Sequence, residues 1–119
     1  MDAALNWIKI AHLLTDISFG SNQLADITVE GRRLCLGLFK GEVFAFAPGC
    51  PHAGGAFSTG FIDVLGNVVC PIHRYKFSMK NGRNVSGEGY ALKRWPVEIR
   101  PEGVFVGLNR ERPFELSID

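Results

Sequence analysis

Two short segments, each with one cysteine and one histidine, constrain this chain more than any other feature of its sequence. The first is Cys50-Pro51-His52 and the second is Cys70-Pro71-Ile72-His73, with residues 53 to 69 between them. Thiolate and imidazole are the side chains that zinc and iron–sulfur sites use. Four of the six cysteines and histidines in the chain lie here, so the pattern predicts a metal site built from two paired loops.

The composition is that of one globular domain. A length of 119 residues leaves no room for a second catalytic domain. The formal net charge of +1 gives no support for binding to nucleic acid, which needs clustered excess lysine and arginine. No stretch approaches the roughly 20 apolar residues of a membrane helix, and residues 1 to 14 lack the pattern of a signal peptide. We expect a cytoplasmic protein.

The remaining cysteine and histidine do not extend the site. Cys35 lies in the apolar run Leu34-Cys35-Leu36, which is typical of a buried core thiol, and no structural disulfide is predicted. His12 has no second ligand near it in the sequence, so a surface or packing role is expected.

Short apolar segments separated by glycine-containing turns predict an all-β fold. Asn81-Gly82 is a strong turn signal, and Pro101-Glu102-Gly103 separates the last two segments. No segment predicts a long helix. We expect a small antiparallel sandwich or open barrel with the ligand loops at one end. The predicted strands are Trp7–Ala11, Ile27–Val29, Leu34–Phe39, Val43–Phe46, a hairpin within Ile62–Val69 around Gly66-Asn67, Lys76–Ser78, Leu92–Ile99 and Val104–Leu108.

Spacing alone leaves two metal sites open. A structural zinc site with two cysteines and two histidines is the generic choice. An iron–sulfur cluster with the same ligands is the more specific one. Zinc fingers tend to keep like ligands together, whereas here each loop supplies one thiolate and one imidazole.

The loop sequences resemble the two cluster-binding loops of Rieske [2Fe–2S] proteins. The similar segments are Cys50-Pro51-His52-Ala53-Gly54-Gly55 and Cys70-Pro71-Ile72-His73-Arg74-Tyr75-Lys76-Phe77, followed by Asn81-Gly82-Arg83. The resemblance favours an iron–sulfur cluster over zinc. It implies one cluster per chain, with Cys50 and Cys70 on one iron and His52 and His73 on the other.

The resemblance also implies boundaries and surfaces. It indicates a single domain over residues 1–108, with cluster-binding loops at 50–60 and 70–78, and a charged tail at 109–119. The histidines of the family lie near the surface, so the apolar residues beside them are expected to shield the cluster or dock a partner. These residues are Pro51, Ala53, Pro71 and Ile72.

A low reduction potential is expected within the Rieske range of about −150 to +300 mV. High-potential members carry a disulfide between the loops, and a serine and a tyrosine whose hydroxyls bond to the cluster sulfurs. The matching positions here are Gly55 and Ile72 for the disulfide, and Tyr75 and Phe77 for the hydroxyls. Fewer hydrogen bonds to sulfur stabilise the reduced state less.

Two features depart from the family pattern. Most members have glycine after the second histidine, where this chain has Arg74, and this puts the backbone geometry of the second loop in question. The third loop, usually proline-rich, is here Ser86-Gly87-Glu88-Gly89.

The resemblance implies a one-electron carrier rather than an enzyme acting alone. A mononuclear iron oxygenase site needs two further histidines and a carboxylate, and after the cluster only His12 remains. No glycine-rich strand–turn–helix for a flavin or nicotinamide is present in the sequence. The leading hypothesis is a ferredoxin that passes electrons from a reductase to a terminal oxygenase. The alternative is an accessory small subunit of a multi-component reductase, such as NADH-dependent nitrite reductase. No sequence feature favours a redox-sensing module.

Overall fold

The computed structural model describes residues 5–51, 54–87 and 89–109, which form an all-β fold of three antiparallel sheets. Two short 3₁₀ helices, Leu14–Asp16 and Phe57–Thr59, interrupt the strands. The described residues contain no helix that could span a lipid bilayer. The strands are β1 Leu5–Ala11, β2 Leu24–Val29, β3 Arg32–Phe39, β4 Glu42–Phe46, β5 Phe61–Ile62, β6 Asn67–Val69, β7 Lys76–Ser78, β8 Arg94–Trp95, β9 Val97–Arg100 and β10 Gly103–Asn109.

The three sheets have simple strand orders. We call β1-β10-β9 the terminal sheet, β2-β3-β4-β8 the central sheet and β5-β6-β7 the small sheet. In the terminal sheet the first and last strands pair directly, with Leu5 opposite Asn109. The antiparallel all-β fold expected from the sequence is confirmed.

The central sheet lies between two hydrophobic clusters, which explains the continuous apolar run in β3. Leu34 and Leu36 belong to a cluster with Val106 and Leu108 of the terminal sheet. Cys35, which points to the opposite face, belongs to a cluster with residues of the small sheet and both loop cysteines. All three β3 residues are fully buried, so the predicted core position of Cys35 is confirmed.

One predicted strand is wrong. The sequence indicated a single strand over Leu92–Ile99, but the structure has β8 in the central sheet and β9 in the terminal sheet, with Pro96 between them. Proline has no N–H to donate to a ladder, and here its carbonyl accepts a hydrogen bond from Gly107 N–H at 2.9 Å. The chain therefore leaves one sheet and joins the other at this residue.

The hairpin within Ile62–Val69 is present, but its turn comes earlier than Gly66-Asn67. Val64, Leu65 and Gly66 form the turn, and Asn67 is the first residue of β6. Asp63 shifts the turn because its carboxylate accepts hydrogen bonds from Leu65 N–H at 2.9 Å and Asn67 N–H at 3.0 Å. At the other end of the chain, Asn109 ends β10, and residues 110–119 of the predicted tail lie outside the described residues.

Candidate metal centre

The first loop is closed by its own backbone. Cys50 N–H donates to the Gly55 carbonyl at 2.9 Å, and Gly54 N–H donates to the Cys50 carbonyl at 2.8 Å. An isolated bridge between Gly49 and Ala56 fastens the base of the loop. Gly54 has φ of +75°, a conformation that glycine adopts at little cost. Cys50 is buried at the base of this loop, and Pro51 is exposed.

The second loop repeats this closure. Cys70 N–H donates to the Tyr75 carbonyl at 2.8 Å, the same sequence separation as between Cys50 and Gly55. His73 and Arg74 both have left-handed backbones, with φ of +62° and +56°. Such conformations are strained for residues with a Cβ and are common at functional sites. Arg74 therefore takes the conformation that a glycine at this position would adopt freely, and the second loop keeps a tight turn despite the substitution.

The two loops bring Cys50 and Cys70 together. Both cysteines are buried free thiols, and both belong to the same hydrophobic cluster. Burial raises the pKa of the Cys70 thiol and the adjacent Cys50 raises it further, whereas backbone N–H groups of Ile72 and Gly55 lower it. A bound cation would deprotonate such a pair, and the two N–H groups would then stabilise a thiolate.

A glycine makes the close packing of the loops possible. A Cβ on Gly55 would lie 3.1 Å from Cys70 Sγ and 3.0 Å from Ile72 Cδ1. The absence of a side chain at Gly55 therefore lets the first loop lie in contact with Cys70 and Ile72 of the second loop. The two buried thiols fit a cluster held through two cysteine sulfurs.

Gly60 allows the first loop to pack directly against the strand that enters the second loop. A Cβ at this position would lie 2.1 Å from the Val69 carbonyl oxygen and 3.3 Å from Pro71 Cδ. The backbone leaving the first loop thus touches the strand that enters the second loop, and only glycine fits between them.

The remaining predicted site residues are placed as follows. His73 lies on the surface of the second loop beside exposed Pro71 and Ile72, the latter 42% exposed. His52 and Ala53 lie outside the described residues. Within the described ranges, no three side chains of histidine, cysteine, aspartate or glutamate form a group that could hold one metal ion.

The positions that carry hydroxyls or a disulfide in high-potential members have other surroundings here. Phe77 is fully buried and packs edge-on against Phe57, with ring centroids 5.8 Å apart. Phe57 in turn packs edge-on against Phe46 of the central sheet at 5.7 Å. Tyr75 is half-buried, with its ring 6.5 Å from that of His73. The aromatic stack ties the base of both loops to the central sheet.

Sequence analysis missed a polar clamp on the first loop. The Asn22 amide donates to the carbonyls of Ser58 at 2.8 Å and Gly60 at 3.0 Å, and its oxygen accepts from Leu24 N–H at 3.2 Å. Ser58 Oγ also donates to an Asp26 carboxylate oxygen at 2.7 Å. No local sequence motif could have indicated this contact, because Asn22 and Ser58 are 36 positions apart.

The third loop folds beside the second. Ser86 N–H and Oγ both donate to Asn84 Oδ1, at 3.0 and 2.7 Å, and Lys76 N–H donates to Ser86 Oγ at 3.2 Å. Glu88 of this loop lies outside the described residues. A cavity of about 380 Å³, which we call the tip cavity, lies between the second loop and the third loop. The described residues that line it are His73, Arg74, Tyr75, Asn84, Ser86 and Gly87.

Paired loops carrying buried thiols and a surface histidine on an antiparallel β scaffold fit an iron–sulfur protein of the mixed cysteine–histidine class. A family model for the Rieske [2Fe-2S] domain matches residues 6–96, and the chain belongs to this family. Its cofactor is a [2Fe–2S] cluster, and the chain is an electron carrier.

Known relatives support this assignment. The chain is 31% identical, over 84 residues, to the ferredoxin component of a naphthalene 1,2-dioxygenase system from Pseudomonas aeruginosa, covering 70% of this chain and 80% of the relative.

Solved structures share the fold. A protein assigned as a small subunit of NADH-dependent nitrite reductase from Mycobacterium tuberculosis superposes with a TM-score of 0.75 at 20% identity, covering 90% of this chain and 98% of the other. A chain of the complex of reduced oxygenase and oxidised ferredoxin in carbazole 1,9a-dioxygenase gives 0.72 at 21% identity, covering 89% and 96%.

Proposed function

We propose that this protein carries single electrons from a reductase to the terminal oxygenase of a ring-hydroxylating dioxygenase system. In this proposal Cys50 and Cys70 hold one iron of the cluster, and His52 and His73 hold the other. The observation that carries it is the pairing of two buried thiols on loops of matching closure, beside a histidine on the protein surface. The relative from Pseudomonas aeruginosa supports the choice of partners.

The arrangement suits electron transfer rather than substrate chemistry. A Rieske cluster supplies one reversible electron, at a potential raised by exchanging two thiolates for neutral imidazoles. The protein buries the cysteines, which excludes water from the sulfur side. Because His73 lies on the surface, an electron has a short path from the cluster to a docked partner. The exposed apolar side chains of Pro71 and Ile72 can exclude water from the contact around this histidine. Pro51 and Ala53 of the first loop complete this patch in our proposal.

An accessory subunit of a nitrite-reductase-type complex is the second candidate. The Mycobacterium tuberculosis structure shares the fold of this chain, and its identity of 20% supports the fold alone. The presence of Cys50, His52, Cys70 and His73 together favours a cluster-bearing carrier. A carrier forms small, short-lived interfaces, whereas a subunit elutes as a stable complex.

The first test is spectroscopic. The purified protein should be red-brown, and its dithionite-reduced form should give the EPR signal of a Rieske centre. The Cys50→Ser and His73→Ala variants should each lose that signal. A colourless protein that contains one zinc ion and no iron would contradict the proposal.

The second test addresses the partners. The reduced protein should transfer electrons to oxygenase components of ring-hydroxylating systems, beginning with naphthalene 1,2-dioxygenase, followed by stopped-flow absorbance. Elution in a stable complex with a large reductase subunit, without transfer to any oxygenase, would favour the second candidate. The cytoplasmic location and the domain limits of 1–108 remain predictions, which cell fractionation and limited proteolysis would test.

A further inference from the structure

Arg74 places a positive charge beside His73 on the surface of the second loop. It is exposed, and among the described residues no carboxylate lies within ion-pair distance of its guanidinium. The nearby Lys76 differs, since its ammonium lies 4.0 Å from Asp63. Arg74 is thus a cation of the second loop with no charged partner among the described residues.

The tip cavity next to Arg74 offers hydrogen-bond donors. Asn84 Oδ1 already accepts two hydrogen bonds from Ser86, which fixes the amide orientation and leaves its NH₂ group as the part without a described partner. Arg74 adds the N–H groups of its guanidinium, which can bind a carboxylate through two parallel hydrogen bonds. The described residues that line the cavity include no carboxylate.

The cavity is also open and of suitable size. Its volume of about 380 Å³ is near the lower end for small-ligand pockets, enough for one inserted side chain with some water. Apart from its chain neighbours, no described residue has an atom within 4 Å of the position of a Cβ on Gly87, at the rim of the cavity. Ile72, 42% exposed on the same loop, adds an apolar contact.

We propose that the tip cavity receives a carboxylate side chain, aspartate or glutamate, of the oxygenase partner, bound by Arg74 and Asn84. The inference rests on the proposed function, because it specifies how the partner is recognised at the same end of the molecule. The carboxylate fixes the partner beside His73, and the exposed apolar residues exclude water from the remaining contact. Recognition by a surface charge of this kind acts mainly on the association rate and is weakened by salt.

The test uses the cluster-loaded protein and an oxygenase component to which the wild type transfers electrons. Arg74→Gln should lower the second-order transfer rate at low ionic strength by about tenfold, and should flatten its dependence on salt. Arg74 has a left-handed backbone, and glutamine is disfavoured in this conformation as much as arginine is. The substitution therefore removes the charge without changing the backbone strain at this position. Arg33→Gln removes one exposed charge from the central sheet and should change the rate by less than about twofold.

Two further measurements separate docking from other effects of the charge. The EPR signal and the midpoint potential of each variant show whether the cluster or the driving force has changed. Arg74→Lys permits zero-length carbodiimide cross-linking, which should join residue 74 to an aspartate or glutamate of the oxygenase, identified by peptide mass. Cross-links found only at other lysines would overturn the proposal.

The outcomes remain distinguishable from failure of the proposed function. If the wild type reduces no oxygenase, the proposed function fails. If it does, and Arg74→Gln transfers at the wild-type rate with the wild-type salt dependence, only this inference fails. A further control adds sodium acetate at constant ionic strength and measures the midpoint potential of the wild type and of Arg74→Gln. If acetate shifts only the wild-type potential while the two proteins transfer electrons at equal rates, the cavity binds free anions and not the partner. The inference then fails as well.

Discussion

At the scale of single residues, the contact between the two loops depends on Gly60. In a Gly60→Ala variant the new methyl group would meet the backbone carbonyl of Val69, which cannot rotate away. We expect the free energy of unfolding to fall by about 1–3 kcal/mol, the usual cost of overpacking. Iron content after purification should fall as well, because the loops separate. Denaturant titration and iron analysis measure the two effects.

The matched control for this variant is Gly87→Ala. Gly87 has open space around its Cβ position and no positive φ, so both stability and iron content should stay at wild-type values. An equal loss in both variants would show that the close approach at Gly60 is not the cause.

The residues around the loops also predict the reduction potential. Gly55 and Ile72 carry no thiols, and buried Phe77 carries no hydroxyl. With few donors to stabilise added negative charge on the cluster sulfurs, we expect a midpoint potential at pH 7 below about +100 mV. Protein-film voltammetry measures it directly. A value well above this limit would mean that other donors reach the cluster.

Single residues also differ in how far sequence predicts them. The role of the cysteines and histidines as metal ligands can be predicted from sequence, because ligand chemistry limits which residues can serve and at what spacing. The role of Asn22 cannot be predicted in this way. Its partner Ser58 lies 36 positions away, and a polar residue in a loop has many possible roles. Such contacts depend on the folded arrangement of distant segments.

Among the elements, the β5–β6 hairpin is stabilised by the ionised form of Asp63. Partial burial alone would raise the pKa of this carboxyl, but hydrogen bonds from Asn67 and Leu65 and the charge of Lys76 lower it overall. The unfolded chain therefore binds the proton first as the pH falls. The stabilisation is complete above the unfolded pKa, near 4, and is lost as the pH falls through the folded value.

Asp63→Asn tests this link. The variant places an NH₂ group opposite the Asn67 amide, so at pH 7 we expect a loss of about 1–2 kcal/mol in the free energy of unfolding. The difference from the wild type should shrink below about pH 4. Glu102→Gln, an exposed carboxylate with no hydrogen bond among the described residues, is the control. A pH-independent difference would contradict the role of ionisation.

The strands show where sequence patterns succeed and where they do not. Turn glycines and apolar segments indicated where the strands from β1 to β4 end, because local turn chemistry and burial agree there. The start of β2 was missed, since this strand begins at Leu24 and not at Ile27. The break at Pro96 was missed, since the apolar pattern continues through it and the choice of sheet is made by distant strands. The apolar run in β3 is continuous because hydrophobic clusters cover both faces of this strand, and only the structure shows both clusters.

At the scale of the whole molecule, Asn22 connects the sheet scaffold to the first loop. Asn22→Ala removes two donors from the carbonyls of Ser58 and Gly60, which should cost about 1–3 kcal/mol of stability. We also expect faster loss of iron to a chelator, because the loop is released. Asn6→Ala, on the exposed face of β1, should leave both values unchanged. Equal chelation rates in wild type and Asn22→Ala would show that the aromatic stack alone holds the loop.

The pairing of β1 with β10 brings Leu5 and Asn109 side by side, so the described chain enters and leaves the fold at one place. A domain with adjacent ends can be inserted into a loop of a larger protein without disrupting its sheets. It can also be circularly permuted, with its original ends linked and new ends made at another turn. The exposed β5–β6 turn, with Val64 85% exposed, is a natural site for new ends. The fold is therefore suited to serve as a transferable module within longer polypeptides.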